Sequence, residues 1–245
     1  MNDTNKDLIH LKKIADLTDL SSIKQQTDLI NRLSQSCDGL MMLLELLIKR
    51  QTQKSLKISY TDSIILKYIY NCKIDTFKKK LNHYLAQGIV ELDSEHNIDY
   101  TPLYQSLASN NFKNANKLTQ KYLNKLAQLN QDNKRQWLYF TDIFNIPNKD
   151  IITIDRLWNI YSFGKFGFSI QRKIWLYHNK DWEKFWHTIG WKVNKKNLRY
   201  PHEFIWNNNA PLGHLPLFNQ IRGVQVLASL YIHPAWEIEK SVINN

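Results

Sequence analysis

Glycine and proline are scarce in this chain of 245 residues, numbering 7 and 6. That is too few for the many turns of a β sandwich or for a Gly-rich dinucleotide-binding chain. Cysteine is scarcer still: Cys37 and Cys72 stand 35 positions apart with no CxxC pattern, which excludes a disulfide framework and a thiolate metal site. Both read as small buried hydrophobes in a reducing compartment. The longest apolar run, Gly39 to Ile48, is broken by Glu45 and is far short of the roughly 20 residues of a membrane helix. Met1-Asn2-Asp3-Thr4-Asn5-Lys6-Asp7 is acidic and has no apolar core, so neither a secretory signal nor a basic transit peptide is expected. GxSxG, P-loop, HExxH, GxGxxG and DxDxDG signatures are all missing, which argues against the common hydrolase, nucleotide and metal chemistries.

Arginine is also rare, at 7 of 33 basic residues. The formal charge of +11 invites a nucleic-acid reading, yet Arg is the preferred reader of phosphates and bases. The excess is divided almost evenly, +5 over residues 1–85 and +6 over residues 86–245. A diffuse positive surface follows, favouring carboxylate-bearing ligands and acidic protein or membrane surfaces.

What is abundant is amphipathic helix. Leu8, Leu11, Ile14 and Leu17 recur at helical spacing, followed by Ile23, Leu29, Ile30 and Leu33. Leu40 to Ile48 is apolar nearly all round, as a central bundle helix is. Ile64, Ile65, Tyr68, Ile69 and Cys72 mark a fourth helix, and Phe77, Leu81, Tyr84 and Leu85 a fifth. Residues 1–87 are therefore expected to form a small antiparallel bundle.

A boundary is expected at Gly88 to Asn97, with a helix-stopping Gly and a strand-like Ile89-Val90-Glu91-Leu92. Beyond it the composition shifts, because all 8 Trp lie between Trp137 and Trp236. Helices are expected at 102–109, 112–129, 135–144, 153–162, 168–178, 180–189 and 216–231. Thr153 and Ser169 serve as N-caps, Pro216 lies in a first turn, and Pro234 is the terminator. Asp181 and Glu183 read as favourable charges at a helix start. Trp175, Trp182, Phe185, Trp186 and Trp191 read as core.

The stretch from Gly190 to His214 is irregular and long, a length that usually signals function. It carries Trp191, Tyr200, Phe204 and Trp206, interleaved with Lys192, Lys195, Lys196 and Arg199. Such a loop could stack nucleobases, cover a porphyrin while pairing with its propionates, or simply solvate its lysines. His214, beside it, is the best candidate for a haem ligand.

Several blocks resemble one family in order: Ile98-Asp99-Tyr100-Thr101-Pro102-Leu103, Arg135-Gln136-Trp137-Leu138-Tyr139-Phe140, Gly164-Lys165-Phe166-Gly167-Phe168-Ser169-Ile170-Gln171-Arg172, Ile189-Gly190-Trp191-Lys192, Gly213-His214-Leu215-Pro216-Leu217, and Arg222-Gly223-Val224 through His233-Pro234-Ala235-Trp236. They are similar to the genomes-uncoupled-four domain of cyanobacterial and plastid-encoded proteins. The resemblance implies an all-α fold, an N-terminal bundle (1–87) followed by a larger cupped-hand domain (88–245) with a long ligand-covering loop.

It further implies a protein without catalysis of its own. Such a protein binds protoporphyrin IX or magnesium protoporphyrin IX as ligand, holds no metal itself, and stimulates magnesium chelatase through the large porphyrin-binding subunit. The setting is the plastid stroma or a cyanobacterial cytoplasm, with peripheral membrane association and no nucleic-acid partner. By resemblance the palm lies between residues 144–151 and 192–211, closed by the last helix. Ile143, Phe144 and Ile146 form its apolar wall, and Leu198, Tyr200 and Phe204 its cover. Arg222 is the propionate partner, and Asn219 a hard donor toward porphyrin-held magnesium. Tyr200 stands where relatives often carry Trp, and Gln225 where they often carry a second Arg. A helical protein-interaction module without pigment binding is the alternative.

Overall fold

The computed structural model describes residues 3–52, 58–72, 74–85, 88–128, 137–194, 196–217 and 224–237. Two compact units result, Met1–Glu91 and Leu92–Asn245. The chain is all-α apart from one tiny hairpin.

In the first unit the apolar spacing yields α1 (Asp3–Ile14), α2 (Leu20–Leu33), α3 (Cys37–Thr52), α4 (Tyr60–Asn71) and α5 (Asp75–Tyr84). Helix α3 buries Leu40, Leu43, Leu44, Leu46 and Leu47 and packs against each of the other four, which is why its sequence is apolar nearly all round. Its last turn buries Arg50. The Nε donates to Asp62 Oδ1 at 2.7 Å, and Nη2 donates to Asp16 Oδ1 at 2.6 Å and Ser59 Oγ at 3.1 Å. One cation thus ties α3 to the turn after α1 and to the start of α4. Burial pushes the Asp62 carboxyl up while Arg50 pulls it down. The cysteines are not buried as expected: Cys37 is exposed in the first turn of α3 and Cys72 is half-buried as the C-cap of α4. Both sit at helix ends, where side chains turn outward.

The second unit contains α6 (Thr101–Ala108), α7 (Phe112–Ala127), a 3-10 helix η1 (Phe140–Asn145), α8 (Asn148–Tyr161), α9 (Phe168–Tyr177) and α10 (Trp182–Thr188). Strands β1 (Lys192–Val193) and β2 (Lys196–Asn197) and helix α11 (Gln225–Tyr231) follow. Asp150, buried in the first turn of α8, accepts from Tyr100 Oη at 2.6 Å, Ser94 Oγ at 2.6 Å and Glu95 N at 3.0 Å. This clasp fastens the segment that leads into α6. Helix α8 meets α7 through Trp158 Nε1, which donates to Thr119 Oγ1 at 2.9 Å. A second aromatic cluster joins Trp175, Trp182 and Phe185 to Tyr231, with Trp191 against Phe185; the core reading holds for Trp175, Phe185 and Trp191, while Trp182 and Trp186 are half-buried.

Local details differ from expectation. No strand forms at Ile89–Leu92. The helix expected at 135–144 is replaced over its described part by a non-helical Trp137–Tyr139 and then η1. Asp142 Oδ2 accepts from Tyr139 N at 2.8 Å and Pro147 follows, leaving room only for a tight short helix. Helix α8 starts at Asn148 after Pro147, and Thr153 is buried inside it. Helix α9 is preceded by Gly167 at φ +128°, where a Cβ would meet Asp155 Oδ1 at 2.7 Å. That carboxylate takes the amide of Ser169 at 2.8 Å, so Ser169 is not the cap. Pro216 lies in a bend and not in a first turn, its carbonyl taken by Gln171, whereas α11 ends at Tyr231 as expected, with Pro234 beyond it.

Candidate functional site

The expected ligand walls belong to two separate lobes of the second unit. In the first, η1 packs against α7 and α11. Its short period turns Ile143 inward, fully buried, with the C-cap Ile146 beside it. Tyr139, Phe140 and Phe144 face out, Phe144 at 49% exposure. The region 144–151 is thus the end of η1 joined directly to the first turn of α8, not an open loop. Behind Phe144 lies His233, ring centroids 6.1 Å apart and planes within 11°. Gln225 opens α11 and is exposed. Asn219, Arg222 and Lys195 lie outside the described residues.

The second lobe runs from Gly190 to Leu217. Both of its hinges need glycine. Gly190 (φ +70°) would place a Cβ 2.8 Å from Pro211 Cγ, and Gly213 (φ +75°) would place one 2.7 Å from Ile174 Cδ1, in a left-handed conformation that side chains avoid. Between them β1 and β2 pair antiparallel, Lys192 with Asn197 and Val193 with Lys196. Half-buried Leu198 is held by its amide, which donates to Trp191 O at 2.9 Å.

The aromatic residues of this lobe are mostly satisfied from within. Trp191 is buried and its Nε1 donates to His214 O at 2.8 Å. Phe204, 5% exposed, packs 5.5 Å from the His214 ring. Trp206 Nε1 donates to Pro201 O at 2.9 Å. Only Tyr200, edge-on to Trp206 at 6.0 Å, keeps a large open face at 45% exposure. Lys192 pairs with Glu183, leaving the exposed Lys196 and Arg199 as the unburied cations described on this loop.

His214 is no metal ligand in this fold. Its Nδ1 donates to Ile189 O at 2.7 Å and its Nε2 accepts from Ile205 N at 3.2 Å, so both nitrogens are used. Burial holds its pKa below the ordinary histidine value, with the Ile189 carbonyl pulling the other way. Its role is to pin the loop.

Two further pins escaped sequence reasoning. Gln171, fully buried, donates from Nε2 to the carbonyls of Gly213 and Pro216, both at 2.9 Å, and accepts from Tyr231 Oη at 3.1 Å. Asn116 Oδ1 accepts from Leu217 N at 2.7 Å. Polar residues inside amphipathic helices carry no periodic signal of such partners. Position within a motif block is the one clue Gln171 offered.

Residues 93–234 match the model of the GUN4-like family. The ycf53 protein of Pyropia yezoensis is 43% identical over 222 residues, covering 90% of this chain and 93% of that one. The chain belongs to the GUN4-like family. Among solved structures, GUN4 from Chlamydomonas reinhardtii is 41% identical with a TM-score of 0.55, covering 60% of this chain and 94% of that chain. A chloroplastic relative from Arabidopsis thaliana, named a tetrapyrrole-binding protein, is 38% identical over 143 residues, 55% of this chain and 54% of its own. The GUN4-like region thus holds both lobes and every expected site residue.

Proposed function

We propose that this GUN4-like protein is a regulatory tetrapyrrole-binding protein that takes protoporphyrin IX and magnesium protoporphyrin IX and stimulates magnesium chelatase through its large porphyrin-binding subunit, without catalysis of its own. The observation that carries the reading is the exposed aromatic face of η1, in a region shared with a relative named for tetrapyrrole binding. Flat apolar rings left in water at a rigid element suit a flat apolar ligand. Phe144 would offer the first face, with Ile143 and Ile146 shaping the wall beneath it. Tyr200 and Leu198 would cover the opposite side, and Phe204 would hold that cover from within. Arg222 would pair with a propionate, Asn219 would serve an axial position on bound magnesium, and Gln225 would supply a neutral polar contact. The chloroplastic name of the Arabidopsis relative favours a plastid setting. Residues 1–87 are proposed to be dispensable for ligand binding.

Titration with protoporphyrin IX, read as quenching of the eight tryptophans, tests the proposal. Quenching with saturation is expected. Arg222→Ala should weaken binding by about 1.5–3 kcal/mol, roughly 10- to 100-fold, the scale of a hydrogen bond to a charged group. Titration without quenching overturns the reading and leaves an interaction module.

A further inference from the structure

His233 is an odd residue to find where it is. Its ring is 2% exposed and lies between the end of α11 and the helical turn that begins at Ala235. Its Nδ1 accepts from Ala235 N at 3.2 Å, which leaves the proton of the neutral ring on Nε2. That Nε2 is buried and makes no hydrogen bond. The backbone carbonyls of Ile143 and Ile146 nevertheless act on the ring, and these two residues flank Phe144 in sequence. Those two carbonyls are the polar groups nearest in effect to the buried ring proton, so the ring is drawn toward η1 and not merely fitted into space.

The geometry relative to Phe144 shows what that ring supports. The two rings lie nearly parallel at an offset-stacking distance. One face of Phe144 is therefore covered by His233 while the rest of the ring is open. We infer that His233 is a positioning residue of the tetrapyrrole site: its buried ring backs Phe144 and, with Nε2 directed toward η1, fixes the angle at which Phe144 presents its open face to the macrocycle. This rests on the function proposed above. His233 touches no ligand itself. It links η1 to the end of α11, so that the wall of the site and the helix below it keep one relative orientation.

Two roles must be separated, the cap on Ala235 and the flat support of Phe144. His233→Asn keeps an acceptor suited to the amide two residues on and removes the ring. His233→Phe keeps a ring and removes the acceptor. With the full chain and protoporphyrin IX, read by tryptophan quenching and by the Soret band, His233→Phe should bind within about threefold of wild type and His233→Asn about tenfold more weakly. Phe144→Ala should also lose about tenfold, and Phe144→Ala combined with His233→Asn should be no weaker than Phe144→Ala alone, because both act through one contact.

The inference is overturned if His233→Asn binds as wild type does while Phe144→Ala is weak, or if the two losses multiply. It is also overturned if His233→Phe folds while neither His233→Asn nor His233→Leu does, since the ring is then structural only. Failure of wild type to bind protoporphyrin at all would instead sink the proposed function, and equal binding by wild type and Phe144→Ala would sink the η1 site.

Discussion

Phe144 and Phe204 occupy the two segments that the sequence marks as ligand walls, and the fold treats them in opposite ways. Phe144 rides on a six-residue 3-10 helix whose neighbours Ile143 and Ile146 take the inward positions, so its ring is left in water. Phe204 sits in a stretch with almost no regular structure, yet it is closed in by His214 and Trp206. Regularity of backbone and burial of aromatic rings are thus inverted between them. An irregular segment stays in place when side chains from elsewhere take up its carbonyls and amides, as Gln171, Asn116 and His214 do here. Within the segment 192–211 Phe204 is already buried without any ligand, whereas Tyr200 keeps an open face.

That contrast can be broken at several points. The largest effect should come from Phe204→Ala, which opens a cavity beside His214 and should cost about 3–4 kcal/mol of stability. Because all eight tryptophans belong to the second unit, tryptophan fluorescence during urea unfolding reports that unit alone. A loss below about 1 kcal/mol would mean the loop packs loosely. Next is Gln171→Leu, which strands the carbonyls of Gly213 and Pro216 and the hydroxyl of Tyr231. A loss of about 2–3 kcal/mol is expected, measured in the same way.

Phe144→Ala should do the reverse of Phe204→Ala, changing stability by under about 1 kcal/mol but lowering protoporphyrin affinity about tenfold. If Phe204→Ala, in protein that remains folded, loses more affinity than Phe144→Ala, the wall and the cover have been assigned the wrong way round. The smallest effect is on pH. Burial depresses the pKa of both His214 and His233 below 6.5, so the unfolded chain binds protons that the folded one refuses. Stability should be full above pH 6.5 and decline as pH falls below it. Melting on either side of that pH checks the sign, and His214→Gln should make the decline shallower.

The five N-terminal helices were legible because each repeats its apolar positions at helical spacing and α3 is apolar on every side that meets a neighbour. The order of elements in the second unit was legible from the same pattern, and its family from the motif blocks. The boundaries of η1, α8, α9 and α11 were less so; those of η1 and α9 involve single side-chain contacts, Asp142 to Tyr139 and Asp155 to Ser169. The sequence placed Ile143 and Phe144 at the end of a helix 135–144 and Ile146 in a loop, where the structure has one 3-10 helix, Phe140–Asn145, with Ile146 as its C-cap. It had no means of ranking their exposure.

By itself, then, the sequence determined that this protein is helical, that it divides near residue 90, and that its aromatic residues gather in the second part. These properties follow from periodicity and composition, which are local. Only the tertiary structure decided which rings face water, that His214 is consumed by two backbone groups, and that His233 lies beneath Phe144. Those outcomes depend on partners beyond the reach of a helical repeat, 9 and 25 residues away for His214, and a buried hydrogen bond between such residues leaves no periodic trace in the chain that makes it.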